Sequence, residues 1–310
     1  MATRQKKTAA RKRSASRSKK KSPGTLRRFL VSFTSTTIVV FGIASCVLNP
    51  RLTEALRDSP YLSHIDWPGV SESPPPHADA HADAGNTVTR FNRCPQFFPG
   101  GQAPRLPAGE HLRELCFDAF AVLYSGKTKT PVFTAERLNR AGLAAARGEQ
   151  RTNKFYEEAR LPMAERATLA DYQGSGYDRG HQAPAGDMPS PKAMAQSFSL
   201  ANMVPQSAEN NRGVWARRVE AATRHYVERA QGDVHVFTGP VFEGGVKTIG
   251  KGRIWVPTYL FKLVYDPGAK RAWAYWVKNT DDAKVTSPIS YRELVNRIGI
   301  ELLPGIPLKN

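Results

Sequence analysis

From Cys116 onward the apolar positions fall into short runs separated by turn residues. Residues 117–124 and 132–138 are two such runs, and the basic turn Ser125-Gly-Lys-Thr-Lys-Thr-Pro131 between them predicts an antiparallel pair. Residues 234–238, 254–265 and 272–277 read as further strands, the last two joined in a hairpin by Asp266-Pro-Gly-Ala-Lys270. The rhythm changes over 209–230. There Val214, Val219, Ala222, Tyr226, Val227 and Ala230 recur at helical intervals, while Arg217, Arg218, Arg224 and Arg229 supply polar surface. A second helix is predicted over 291–298, stopping before Gly299. Residues 141–170 tolerate helix without a clear period, 171–191 are so punctuated by Gly and Pro that they read as loop, and 197–201 form a short buried strand candidate. Strand runs on either side of helices, hairpin turns and no repeating βαβ unit predict an α+β domain built on an antiparallel sheet.

Upstream the pattern is different. Residues 29–48 pass without a charge, and as a helix they are long enough to cross a bilayer core of roughly 30 Å. They follow a tail, 1–28, that holds 12 Lys and Arg and no acid. This is the arrangement of an anchor whose N-terminus stays cytoplasmic while the rest is exported. Ile43-Ala44-Ser45-Cys46 also matches a lipoprotein cleavage box, the Arg- and Ser-rich start a mitochondrial transit peptide, and Lys19-Lys20-Lys21 a nuclear signal. The uninterrupted apolar run favours the anchor, with the remainder in a bacterial periplasm. Residues 49–90 pass into Ser-Glu-Ser-Pro-Pro-Pro and the His/Asp/Ala stretch around His77 and His81, which has no means of building a core and reads as flexible linker. The folded domain is expected over 91–310.

Charge changes the picture less than its size suggests. The formal net charge is +18, but the tail's twelve cations are explained by membrane orientation, and residues 91–310 carry only +9. Charge alone therefore identifies no partner. Of three cysteines, Cys46 belongs to the anchor. Cys94 and Cys116 are expected to pair if the domain is exported, the alternative being a buried free thiol at Cys116 beside Phe117 and Phe120.

The candidate chemistry lies in 171–220. Tyr177-Asp-Arg-Gly-His181 sets an acid, a guanidinium and an imidazole side by side, and Asn210-Asn211 open the predicted helix. Hydrolysing a phosphodiester needs a base for water, a cation for the departing oxygen and positive side chains for the extra charge. His181, with an unperturbed pKa of about 6.5, can be the base. Asn211 offers a neutral oxygen of the kind that Mg²⁺, which keeps most of its water, accepts. Arg179 can hold phosphate oxygens. Blander roles stay open: Asn211 also suits a helix cap, Arg179 a pair with Asp178, and Arg217, Arg218 and Arg224 a solvated face.

Asp178-Arg-Gly-His-Gln-Ala-Pro184, followed by Asn202-Met-Val-Pro-Gln206 and Asn210-Asn-Arg-Gly-Val-Trp215, resembles the DNA/RNA non-specific endonucleases over about residues 115–300. These sugar-nonspecific nucleases belong to the ββα-metal superfamily and include endonuclease G. The resemblance implies a ββα-metal fold, with a central antiparallel sheet flanked by helices. It also implies Mg²⁺-dependent cleavage of DNA and RNA to 5′-phosphate ends with little sequence preference, Mn²⁺ being able to replace Mg²⁺. In such enzymes His181 is the general base and Asn211 the direct metal ligand. Arg179 and Arg137 stabilise the transition state, and Asp178 supports them. The family's acidic residue four places after the tryptophan corresponds to Val219 here, with Glu220 one place later, so Glu220 takes that role only if the helix register shifts. The reading from another class is an inactive nucleic-acid-binding or uptake protein of the same fold.

Overall fold

The computed structural model describes residues 90–309 apart from 107, 108 and 110. The expected tail, anchor and all but the last residue of the linker lie outside the described residues. Among the described residues no helix is long and apolar enough to cross a membrane.

The chain enters through an aromatic segment and then forms β1 (Leu112–Cys116), β2 (Phe120–Ser125) and β3 (Thr130–Leu138). Two short helices, α1 (Arg140–Ala146) and α2 (Leu169–Tyr172), flank a long irregular stretch. Next come β4 (Tyr177–His181), α3 (Pro191–Ser197) and β5 (Met203–Ser207). A π-helix, Asn210–Glu220, runs on into α4 (Ala221–Val227). The remaining elements are β6 (Val234–Val241), β7 (Lys247–Ile249), β8 (Ile254–Val256), β9 (Tyr259–Asp266), β10 (Arg271–Lys278), β11 (Ile289–Ser290) and α5 (Tyr291–Ile298). Seven strands form one sheet in the order β1-β2-β3-β6-β9-β10-β11, every pair antiparallel, while β4–β5 and β7–β8 are separate two-stranded ribbons. The α+β class and the antiparallel sheet are as expected.

The central sheet is covered on both faces, which is why its inner strands read as nearly continuous apolar runs. Ala121, Leu123, Phe133, Ala135, Phe237 and Leu263 face the N-terminal Phe91, Phe97 and Phe98 and the C-terminal Leu294, Leu302 and Leu303. On the other face Val122 and Tyr124 pack with Met188, Met194 and Phe198, Leu138 and Val236 with Val227, and Leu260 and Val277 with Trp215 and Val219. This second layer carries the candidate chemistry.

Four expectations about the elements are corrected. Residues 171–191 are not simply loop, because β4 lies within them and pairs with β5, and the 197–201 run is not a strand but ends a helix and makes one 3₁₀ turn. Residues 254–265 are two strands: Pro257 has no N–H for a ladder, so β8 turns to β7 while β9 joins the main sheet. The predicted helix begins with eleven residues of π-helix. The edge strand β1, mostly half-exposed and interrupted by the adjacent Arg113 and Glu114, adds a strand that no clear run marks.

Cys94 and Cys116 form a disulfide, so the paired reading holds over the free thiol. It ties the aromatic entry segment to the edge strand across a separation of 22 residues. Removing it, by Cys94→Ser or reduction, is expected to cost about 3 kcal/mol, mostly by releasing the unfolded chain. Urea unfolding with and without reductant measures this. An unchanged midpoint would mean that the Phe91–Phe98–Phe133 contacts hold the segment alone.

Candidate active site

The β4–β5 ribbon crosses the outer face of the second layer, and its register sets the motif. Arg179 pairs with Pro205, Gly180 with Val204 and His181 with Met203. Gly180 is favoured by close packing: a Cβ there would sit 2.6 Å from the Cβ of buried Gln206. Asp178 of β4 bonds to Asn211 and Arg212 of the π-helix, and side chains of the two elements share one open cavity of about 480 Å³. Asp178, Arg179, His181, Asn211 and Glu220 all line it.

His181 is buried, with the Phe198 ring edge-on at 5.0 Å and the Phe155 ring at 5.7 Å. Its pKa is pushed down to about 3, first by burial and then by the Arg151 and Arg179 cations. The imidazole is therefore neutral near pH 7. Nε2 is sealed from solvent without a hydrogen-bond partner, leaving Nδ1 as the nitrogen able to meet a water molecule. Arg179 stacks on Phe155, its guanidinium carbon 4.1 Å from the ring centre. That contact holds the cation beside the histidine without neutralising it.

Asp178 acts through the helix. Its Oδ2 accepts from Asn211 Nδ2 at 2.9 Å and from Arg212 Nε at 2.8 Å, and its Oδ1 accepts from Arg212 Nη2 at 2.6 Å. Only the NH₂ of an amide can donate to a carboxylate, so the Asn211 orientation is chemically defined and its Oδ1 is left for a cation. That donor set suits a hard ion that needs one or two protein oxygens and keeps its water. Among the described residues no group of three His, Cys, Asp or Glu side chains forms a denser metal cage.

The π-helix resolves the register of Glu220. Its turns take up more chain than α-helical ones, as the Ala221 N–H to Ala216 carbonyl bond shows. Cavity-lining positions therefore run Asn211, Ala216, Glu220, Arg224. Val219, where an α-helical count places the acid, is fully buried against Val204 and Trp215. Burial raises the Glu220 carboxyl, an effect opposed by Lys262 and Arg224.

Arg137 is not part of this assembly. Side chains alternate along a strand: Glu136 and Leu138 of β3 face the helix layer, whereas Arg137 shares the face of Phe133 and Ala135 and lies 3.7 Å from Asp233. Arg151 and Arg224 line the cavity instead, together with Arg179 and Arg212. Arg151 comes from the irregular stretch after α1, its guanidinium 5.1 Å over the Phe198 ring. Arg224 donates to Asp187 at 2.9 Å and lies 3.8 Å from Glu220. Nothing local marks Arg151 in the sequence. Arg224 is signalled only by its spacing of four from Glu220, while Arg217 and Arg218 are exposed and do not line the cavity.

A neutral buried imidazole, four cavity-lining guanidinium groups, and an amide and a carboxyl on one helix face make a site suited to hydrolysis of a phosphodiester. Residues 102–308 match the family described as DNA/RNA non-specific endonuclease, and the chain belongs to it. It is 36% identical over 170 residues to Nuclease C1 of Cunninghamella echinulata var. echinulata, covering 51% of this chain and 67% of that one. It is 37% identical over 155 residues to the mitochondrial nuclease EXOG of Xenopus laevis, covering 46% of this chain and 42% of that one. With the mitochondrial Nuclease 1 of Schizosaccharomyces pombe the identity is 31% over 211 residues, 61% and 65% of the two chains. The matched region thus spans less than half of the EXOG relative and about two thirds of the fungal ones. The solved EndoG/EndoGI complex shares the fold, with a TM-score of 0.59 at 22% identity, covering 71% of this chain and 94% of that one.

Proposed function

We propose that the domain is a Mg²⁺-dependent endonuclease that cuts DNA and RNA with little sequence preference and leaves 5′-phosphate ends. The observation that carries the reading is the shared cavity, in which neutral His181 stands beside Arg179 and faces the Asn211–Glu220 side of the π-helix. His181 Nδ1 takes a proton from water as its oxygen attacks phosphorus, and the phosphorus–3′-oxygen bond breaks. Arg179, Arg151 and Arg224 face the charge that builds on the phosphate oxygens. Asp178 holds the Asn211 amide so that its oxygen, with Glu220 nearby, receives the cation. A bound Mg²⁺ supplies positive charge for the leaving oxygen. Contacts of this kind go to phosphates, which carry no sequence information. Within the same proposal the domain acts in an oxidising compartment such as a bacterial periplasm, held at a membrane by residues 29–48, and the Cys94–Cys116 bond supports this. A mitochondrial address is the second reading, favoured by the names of the EXOG and Nuclease 1 relatives.

The test is nicking of supercoiled plasmid during a Mg²⁺ titration, on wild type and Asp178→Ala. Wild type should nick and stop when the ion is chelated. Asp178→Ala, with the Asn211 amide free to turn, should need about 10–100-fold more Mg²⁺ for half-maximal rate. Nicking that persists in chelator, or an unmoved midpoint in the variant, contradicts the proposed ion site.

A further inference from the structure

Several guanidinium groups of the domain hold a carboxylate: Arg113 is paired with Glu165, Arg147 with Glu228, Arg160 with Glu158 and Arg212 with Asp178. The β7–β8 hairpin and the β2–β3 turn differ. Residues 244–256 contain Lys247, Lys251 and Arg253 and no acid, and 126–131 contain Lys127 and Lys129 and no acid. None of these five cations is within ion-pair distance of a carboxylate among the described residues.

The two segments are one piece of surface. Trp255 N–H of β8 donates to the Thr128 carbonyl at 3.0 Å, and Lys127 Nζ lies 5.9 Å from the centre of the Trp255 ring. The hairpin is also fixed to the edge of the cavity: Lys247 Nζ donates to the Tyr177 hydroxyl at 2.8 Å, and Tyr177 is the β4 residue immediately before Asp178. Gly252 N–H, donating to buried Asp171 at 2.6 Å, pins the hairpin turn. The result is a fixed positive surface whose five cations make no ion pair, with the Trp255 and Tyr177 rings among them, at the edge of the cavity.

We infer that this hairpin and turn form a cationic arm that holds the phosphodiester backbone of the substrate strand outside the catalytic cavity. Unpaired lysines on a fixed scaffold displace counterions from a polyanion and read no base. Two rings among them suit stacking by splayed bases. The inference rests on the nuclease reading, and its test separates the two.

The experiment compares wild type with Lys127→Ala/Lys251→Ala, neither residue lining the cavity, after confirming equal thermal unfolding. It measures cleavage of long DNA and of a small aryl phosphodiester in Mg²⁺, and DNA binding in chelator across a salt series. The double variant should show a KM for long DNA about tenfold higher near 0.1 M salt and a salt slope shallower by about two, with turnover of the small diester unchanged. Failure of wild type to cleave either substrate would overturn the nuclease reading. Cleavage of both with KM and slope unmoved in the variant would overturn the arm. Loss of wild-type binding to anionic lipid vesicles in the variant, with KM for DNA unmoved, would assign the same cations to a membrane surface and would equally overturn it.

Discussion

His181→Ala is expected to lower the rate of plasmid cleavage by about 10²–10⁴-fold while leaving DNA binding in chelator nearly intact, because general-base catalysis contributes in that range and the phosphate-facing arginines remain. The same variant has a signature independent of turnover. The folded pKa of His181 is depressed to about 3, whereas the unfolded side chain titrates near 6.5. As pH falls below about 6.5 the unfolded state takes up a proton that the folded state refuses, so wild type loses stability until the folded pKa is reached. Between pH 7 and 5 that difference amounts to about 2 kcal/mol, and His181→Ala should not show it. Urea unfolding at the two pH values measures the difference. Cleavage at the wild-type rate sinks the base assignment, and identical acid slopes sink the buried neutral histidine.

Lys262→Met is expected to cost about 3–5 kcal/mol, the usual consequence of removing one partner of a buried pair. Lys262 and Glu136 are almost wholly buried, 3.9 Å apart, beneath Glu220 and Arg224, and Lys262 also donates to Thr238 at 2.7 Å. Burial raises the Glu136 carboxyl, helped by Asp187 and opposed by Lys262. With a folded pKa above the unfolded one, the stability it contributes is complete at low pH and is lost as pH rises toward the folded value. Removing Lys262 removes the main opposing charge, so the variant should be more destabilised at pH 8 than at pH 5. Glu136→Gln/Lys262→Met, which buries no charge, should recover part of the loss. Lys262→Met with wild-type stability at both pH values would show that the pair is neutral to folding.

Much of the site was legible before the fold was known. His181, Arg179, Asp178 and Asn211 stand in short motifs whose spacing is local, and all four line the cavity. Arg137 lies on the face of the sheet away from the cavity; a strand reading shows that alternate residues face opposite ways, but not which set faces the chemistry, which depends on what covers each side of the sheet. Glu220 stood one place from its expected position because the α-helical period was assumed, and the π-helix absorbs the extra residue. Arg151 lies in a stretch with no period, and only the packing of that stretch against Phe198 carries it to the cavity.

The sequence by itself determined the α+β class, the family motif and the pairs of residues close along the chain, because backbone propensity, turn chemistry and short spacings are local properties. The tertiary structure alone decided that Glu220 rather than Val219 faces the cavity, that Arg151 and Arg224 line it while Arg137 does not, and that His181 is held well below its ordinary pKa. Each of these depends on which surfaces meet. Helix register, strand face and desolvation are all set by contacts between residues far apart in the chain.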